Sequence, residues 1–128
     1  MVVITASFGG QDKLHQPLNF RSRDGVCFIA IVDEISADLH DFKECESSWN
    51  VFQVPQDLIS DDPRLKTRII RALLPFMFPS ATFSVWVDSK LQLKRDPLFL
   101  ISEHLLESKA YLAVSENHVR KNIYEESI

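Results

Sequence analysis

Two cysteines, Cys27 and Cys45, are all the chain contains, and they form no Cys-x-x-Cys pair. This excludes a disulfide framework and a cysteine-based zinc site. Cys27 falls in an apolar stretch and is expected to be a buried small residue; Cys45 falls in a polar loop. No run of Lys and Arg exceeds two residues. With a net charge of −4 and a pI of about 5.5, a nucleic-acid partner is not expected. No apolar run approaches the roughly 18 residues needed to cross a bilayer. The opening Met1-Val2-Val3-Ile4 lacks the basic region and cleavage site of a signal peptide. The histidines, His15, His40, His104 and His118, show neither HxH nor HExxH spacing. The chain has no GxGxxG, no P-loop, and no Ser-His-Asp or Cys-His set.

What remains is an ordinary globular composition, 45% hydrophobic and 25% charged over 128 residues. That suits one domain, 1–128, or part of a larger one. The start lies directly inside a strand, and 122–128 reads as a helix cut while still running. Both ends lead to the expectation of a piece of a longer protein. Residues 2–8 are short, apolar and β-branched, which suits a buried strand; residues 26–32 are a continuous apolar run, the pattern of a strand covered on both faces. Residues 49–54 form a third strand, stopped by Pro55. Residues 35–48 are expected to be loop with some helix. Asp62 caps a helix that Pro63 opens. Leu65, Ile69, Ala72 and Leu73 are its expected apolar stripe, and Pro75 and Pro79 bound the segment after it. Residues 82–87 form a fourth, buried strand. Asp96-Pro97 opens another helix, with Leu98, Ile101, Leu105 and Leu106 on one face. A fifth strand over 110–114 and a helix from Glu116 complete the pattern. Alternating strands and helices predict an α/β fold with a mainly parallel, doubly wound sheet.

Such sheets bind ligands beyond the carboxyl ends of their strands. Three features fall there: Gly9-Gly10, Asp33-Glu34 and Asp88-Ser89-Lys90. The glycines let a phosphate or sugar approach the backbone; the plain alternative is a tight turn. A carboxylate at Asp33 or Glu34 suits a ribose hydroxyl or a base edge; the alternative is a solvated strand end. Asp88 closes an apolar, aromatic run where an unpaired carboxylate would be costly. It is expected to pair with Lys90, Arg95, loop amides or a divalent cation. Asp-x-Asp at such a strand end holds a cation between diphosphate oxygens. Here the third position is Lys90, which can itself offset phosphate charge. Arg64, Arg68 and Arg71 share a helix face at i, i+4 and i+7 and suit a diphosphate, or a solvated basic face. Lys66 lies on the same helix. Trp49 and Trp86 are expected to be core residues.

The stretch Thr5-Ala6-Ser7-Phe8-Gly9-Gly10-Gln11-Asp12-Lys13-Leu14-His15-Gln16-Pro17 resembles the opening of the turgor-regulation-defect/mucilage-related glycosyltransferase-like family. So do Asp62-Pro63-Arg64-Leu65, the block Trp86-Val87-Asp88-Ser89-Lys90 followed by Arg95-Asp96-Pro97, and Ala113-Val114-Ser115-Glu116-Asn117-His118. The match runs along nearly the whole chain and is nearest to the plant mucilage-related branch. The resemblance implies a GT-A-like fold and a nucleotide-sugar donor with a glycan acceptor, in polysaccharide synthesis in the Golgi lumen. A chain without the family's membrane anchor would instead be cytoplasmic. It implies that Phe8, Gly9 and Gly10 line the nucleotide site, with Asp33 near base or ribose. Asp88 and Lys90 would stand where related folds carry acids for Mn2+ or Mg2+, and His118 and Arg120 would lie on a later loop. One branch is associated with ceramidase activity, so a lipid hydrolase is a further alternative. Thr67-Arg68-Ile69-Ile70-Arg71 departs from the family's Gly-Lys-Ile-Pro-Lys, and Pro75-Phe76 replaces its His-Arg. These departures make a non-catalytic remnant the competing expectation.

Overall fold

The computed structural model describes residues 1–10, 14–17, 25–39, 49–55 and 60–114. They fall in two compact units, Met1–Pro97 and Leu98–Ile128. The first unit is built on a four-stranded sheet ordered β3-β2-β1-β4. Its strands are β1 (Val2–Ser7), β2 (Cys27–Val32), β3 (Asn50–Gln53) and β4 (Ser84–Trp86), and every pairing is parallel. Two helices accompany them, α1 (Glu34–Leu39) and α2 (Pro63–Met77). This is the doubly wound α/β arrangement that the apolar runs predict.

Strand β1 is central, and all six of its residues are buried. Alternation sends its side chains to two different cores. Val2, Ile4, Ala6 and Phe8 pack with Ile29 and Ile31 of β2 and with Ile70 and Leu74 of α2. Val3 packs on the other face with Phe28, Ala30, Val32, Trp49 and Val87. There the Phe28 and Trp49 rings meet edge to face, with centroids 5.6 Å apart. Each fully buried aliphatic or aromatic side chain contributes about 1.5–3 kcal/mol, so β1 and β2 anchor the unit.

Several local expectations are corrected. The buried stripe of α2 is Lys66, Ile70 and Leu74, at i, i+4 and i+8. Leu65, Ala72 and Leu73 are exposed and Ile69 is half-buried. Two helical stripes overlap in this sequence, and the sheet takes the one containing the lysine. Pro75 does not bound the helix; it lies inside the last turn, which runs on to Met77. A proline there forfeits one intrahelical bond, and the end is still closed by Phe78 N–H donating to the Leu74 carbonyl at 3.0 Å. Strand β4 is shorter than expected and is not buried. Among the described residues it pairs with β1 alone, and Ser84 is exposed while Val85 and Trp86 are half-buried. Cys27 is exposed, because it opens β2 outside the sandwiched stretch.

The second unit contains the rest of α3 (Pro97–Ile101) and a π-helical turn over Ser102–Leu106. The wider turn shifts the side-chain periodicity. Of the expected apolar face, Ile101 is buried, while Leu98 and Leu106 are exposed. Lys109, with φ of 56°, ends the turn. Residues 110–114 form no strand, and Tyr111, Leu112 and Val114 are exposed. An apolar run becomes a strand only when a neighbour takes its backbone bonds. Cys45, and the helix expected from Glu116, lie outside the described residues. Among the described residues, no helix is long and apolar enough to cross a membrane.

Candidate functional site at the carboxyl edge of the sheet

Because all pairings are parallel, the carboxyl ends of β1, β2 and β4 open on one edge. The chain winds outward through β1, β2 and β3, then returns past β1 to β4. The winding therefore reverses between β1 and β4, where a doubly wound sheet leaves a crevice. Gly9-Gly10 follows β1 on that edge, Asp33 follows β2, and Asp88 follows β4.

Gly9 and Gly10 have φ of 73° and 66°. Both lie in the left-handed region, which a Cβ disfavours by roughly 1–2 kcal/mol per residue. The turn is pinned from β2. Gly9 N–H donates to Asp33 Oδ2 at 2.9 Å, and Gly10 N–H donates to Ser36 Oγ at 3.0 Å. Asp33 also caps α1: its Oδ1 accepts from Ser36 N–H at 2.9 Å, and its carbonyl accepts from Ala37 N–H at 2.9 Å. Lys66 Nζ lies 3.9 Å from Asp33 Oδ2 and 5.1 Å from the centre of the Phe8 ring. Asp33 and Lys66 are each only 1% exposed.

Burial of Asp33 raises its pKa. The amides of Ser36 and Gly9, the Ser36 hydroxyl and the Lys66 charge together outweigh it, and the carboxyl is held below its ordinary value. The group is thus ionised at neutral pH, and its charge is consumed by the chain itself.

Asp88 has different surroundings. It is exposed, and accepts a hydrogen bond from Trp86 Nε1–H at 3.0 Å. Leu91 N–H closes a turn on the Asp88 carbonyl at 2.9 Å. Lys90 is exposed on that turn. From α2, the Arg71 guanidinium stands 5.9 Å from the Trp86 ring centre, a cation–π contact. Arg71, Trp86 and Asp88 thus form a connected row. Arg64 and Arg68 are exposed. The N-terminal half of α2 lies at the carboxyl edge, because Lys66 reaches Phe8 and Asp33 there. At 1.5 Å per residue, Arg68 and Arg64 sit about 4.5 and 10 Å further toward that edge than Arg71.

The edge therefore collects Phe8, Gly9, Gly10, Asp33, Asp88 and Lys90, with the arginine row beside it. His118 and Arg120 lie outside the described residues. Lys66 and Ser36 are additions to the expected set. Lys66 shares fourfold spacing with Ile70 and Leu74, one of two stripes open to this helix, and the sheet selects that stripe. Ser36 was detectable only as a residue in the first turn after a capping Asp. Among the described residues, no three His, Cys, Asp or Glu side chains converge on one point.

A four-stranded, all-parallel sheet flanked by helices defines an α/β domain of the Rossmann-like type. The chain belongs to the TOD1/MUCI70, glycosyltransferase-like domain family, whose profile matches residues 1–128. It is similar to two proteins of Arabidopsis thaliana. One, named alkaline ceramidase TOD1, is 28% identical over 143 residues, covering 100% of this chain and 30% of that protein. The other, named probable hexosyltransferase MUCI70, is 29% identical over 135 residues, covering 99% of this chain and 23% of that protein. The chain thus spans under a third of either relative. No solved structure gives a significant match.

Proposed function

We propose that this chain forms the donor-binding part of a glycosyltransferase-like protein that takes a hexose from a nucleotide-sugar and passes it to a glycan acceptor. The observation that carries this reading is the reversal of strand order between β1 and β4, the place where sheets of this kind take their ligands. On one side of it stands the left-handed Gly9-Gly10 turn, where the absent side chains admit a nucleoside close to the backbone. On the other stand Asp88 and Lys90, and Arg71, Arg68 and Arg64 on α2 supply positive charge. The hexose is suggested by the name of one relative, and the glycan acceptor by the family.

Asp88 fits a divalent cation that arrives with the diphosphate. Mg2+ and Mn2+ are held through one or two carboxylates plus substrate phosphates, and an exposed carboxylate steadied by an indole N–H meets that need. When bound, the cation would neutralise charge on the diphosphate leaving group. Lys90 and the arginines would add fixed positive charge near it. Asp88 would hold the cation, Lys90 would offset phosphate charge, and the glycine turn would shape the nucleoside end.

Calorimetric titration with a panel of UDP- and GDP-sugars, with and without Mn2+, tests this reading. Saturable binding that strengthens with Mn2+ is expected. No heat from any member of the panel, with either metal condition, would contradict the donor site.

A further inference from the structure

A glycine-rich turn after a strand is usually considered for its free amides, which can cradle an anion. At Gly9-Gly10 the amides are already used. Gly9 N–H is taken by Asp33 Oδ2 and Gly10 N–H by Ser36 Oγ. The second oxygen of Asp33 is taken by Ser36 N–H. Lys66 offsets the buried negative charge from 3.9 Å. Asp33 and Lys66 are each 1% exposed and Ser36 is 0% exposed, so none of the three presents a polar atom to a ligand on the edge.

We infer that Asp33, Ser36 and Lys66 are positioning residues, a buried clamp that fixes the Gly9-Gly10 turn rather than a set of ligand contacts. Two successive glycines leave the left-handed region readily, because glycine loses more conformational freedom on ordering than any other residue. The clamp gives each amide an acceptor that only the bent turn can reach. One acceptor is ionised, which makes its bond about twice as strong as a neutral one. Lys66 is required because a buried carboxylate without a cation is costly. A preformed turn spares a ligand the cost of ordering it. The inference deepens the proposed function, and rests on it only for the identity of the ligand.

The chain has three glycines, so glycine-selective 15N labelling of the full chain yields three backbone amide signals. Gly25, outside the clamp, is the internal comparison. Amide exchange is measured in the wild type and in Asp33→Asn, Ser36→Ala and Lys66→Met, with folding followed by thermal unfolding. In the wild type, Gly9 and Gly10 exchange slowly. Asp33→Asn removes the charge and is expected to speed Gly9 exchange by about tenfold or more. Ser36→Ala speeds Gly10 by several-fold, and Lys66→Met, which keeps the stem on Phe8, speeds Gly9 by several-fold. Gly25 stays unchanged throughout. With Mn2+ and UDP- or GDP-sugar, Lys66→Met weakens both nucleotides by the same factor. Should Asp33→Asn fail to fold, the wild type and Ser36→Ala decide. Unprotected Gly9 and Gly10 in the wild type would overturn the inference. So would an Asp33→Asn variant that changes preference between nucleobases while both glycine signals stay still. Glycine signals that respond as expected in a chain that binds no nucleotide would support the clamp and remove the donor reading alone.

Discussion

Asp88→Ala is expected to weaken nucleotide-sugar binding in the presence of Mn2+ by at least about a hundredfold. Losing a group that only orients a metal ligand already costs 10–100-fold, and Asp88 is proposed as the ligand itself. The fold should not notice. Asp88 is exposed just past the end of β4, and its side chain accepts a surface hydrogen bond from the Trp86 indole. Substitutions at such positions change stability by roughly half a kcal/mol. The expected pattern is therefore lost binding with an unshifted unfolding midpoint, measured by calorimetry and urea titration on the same sample. An unchanged affinity in Asp88→Ala would remove Asp88 from the site.

Asp33→Ala should do the reverse and destabilise the fold by about 3–5 kcal/mol, the usual cost of removing one partner of a buried ion pair. The variant leaves the Lys66 ammonium buried beside Phe8 without its carboxylate, uncaps α1, and frees the Gly9 amide. Against a typical total stability of about 5–15 kcal/mol, this is a large share. The effect should depend on pH with a defined sign. The pKa of Asp33 is lower in the folded state than in the unfolded chain. Its contribution is full above the unfolded value and is lost as pH falls below it through the folded value. Urea unfolding at neutral pH should show the full gap between wild type and variant, and the gap should shrink through the acid range. A gap that holds constant into acid would show that the Asp33 charge contributes nothing.

The residues that form the sheet were legible in the sequence because their chemistry is one-sided. Residues 26–32 are apolar throughout, and residues 2–8 are apolar but for Thr5 and Ser7, which are themselves buried; parallel strands covered on both faces read that way. Asp62-Pro63 marked the start of α2 for equally local reasons, and Asp62 Oδ1 does accept from Arg64 N–H at 2.9 Å. The errors came where a pattern had two solutions or needed a distant neighbour. Leu65, Ile69, Ala72 and Leu73 form a helical stripe as good as Lys66, Ile70 and Leu74, and only the sheet decides between them. Residues 110–114 have strand composition, yet strand formation depends on a hydrogen-bonding neighbour that composition does not reveal. Asp88 was expected to need a partner because its strand reads as buried. In the structure β4 is half-buried and the aspartate is exposed, so the cost that motivated the expectation is absent. Its position at the edge stands on topology alone. The Asp33–Lys66 pairing joins residues 33 positions apart, beyond the reach of any local pattern.

The central claim, that the carboxyl edge between β1 and β4 receives a nucleotide diphosphate with its cation, is most directly tested by paramagnetic broadening of amide signals. Mn2+ is added to the 15N-labelled chain together with UDP. Broadening is expected first at Asp88, Ser89 and Lys90, then at Gly9 and Gly10, while Val2, Ser84 and Ala81 at the amino ends of the strands stay sharp. Broadening centred on those amino ends, or none that depends on UDP, would contradict the account.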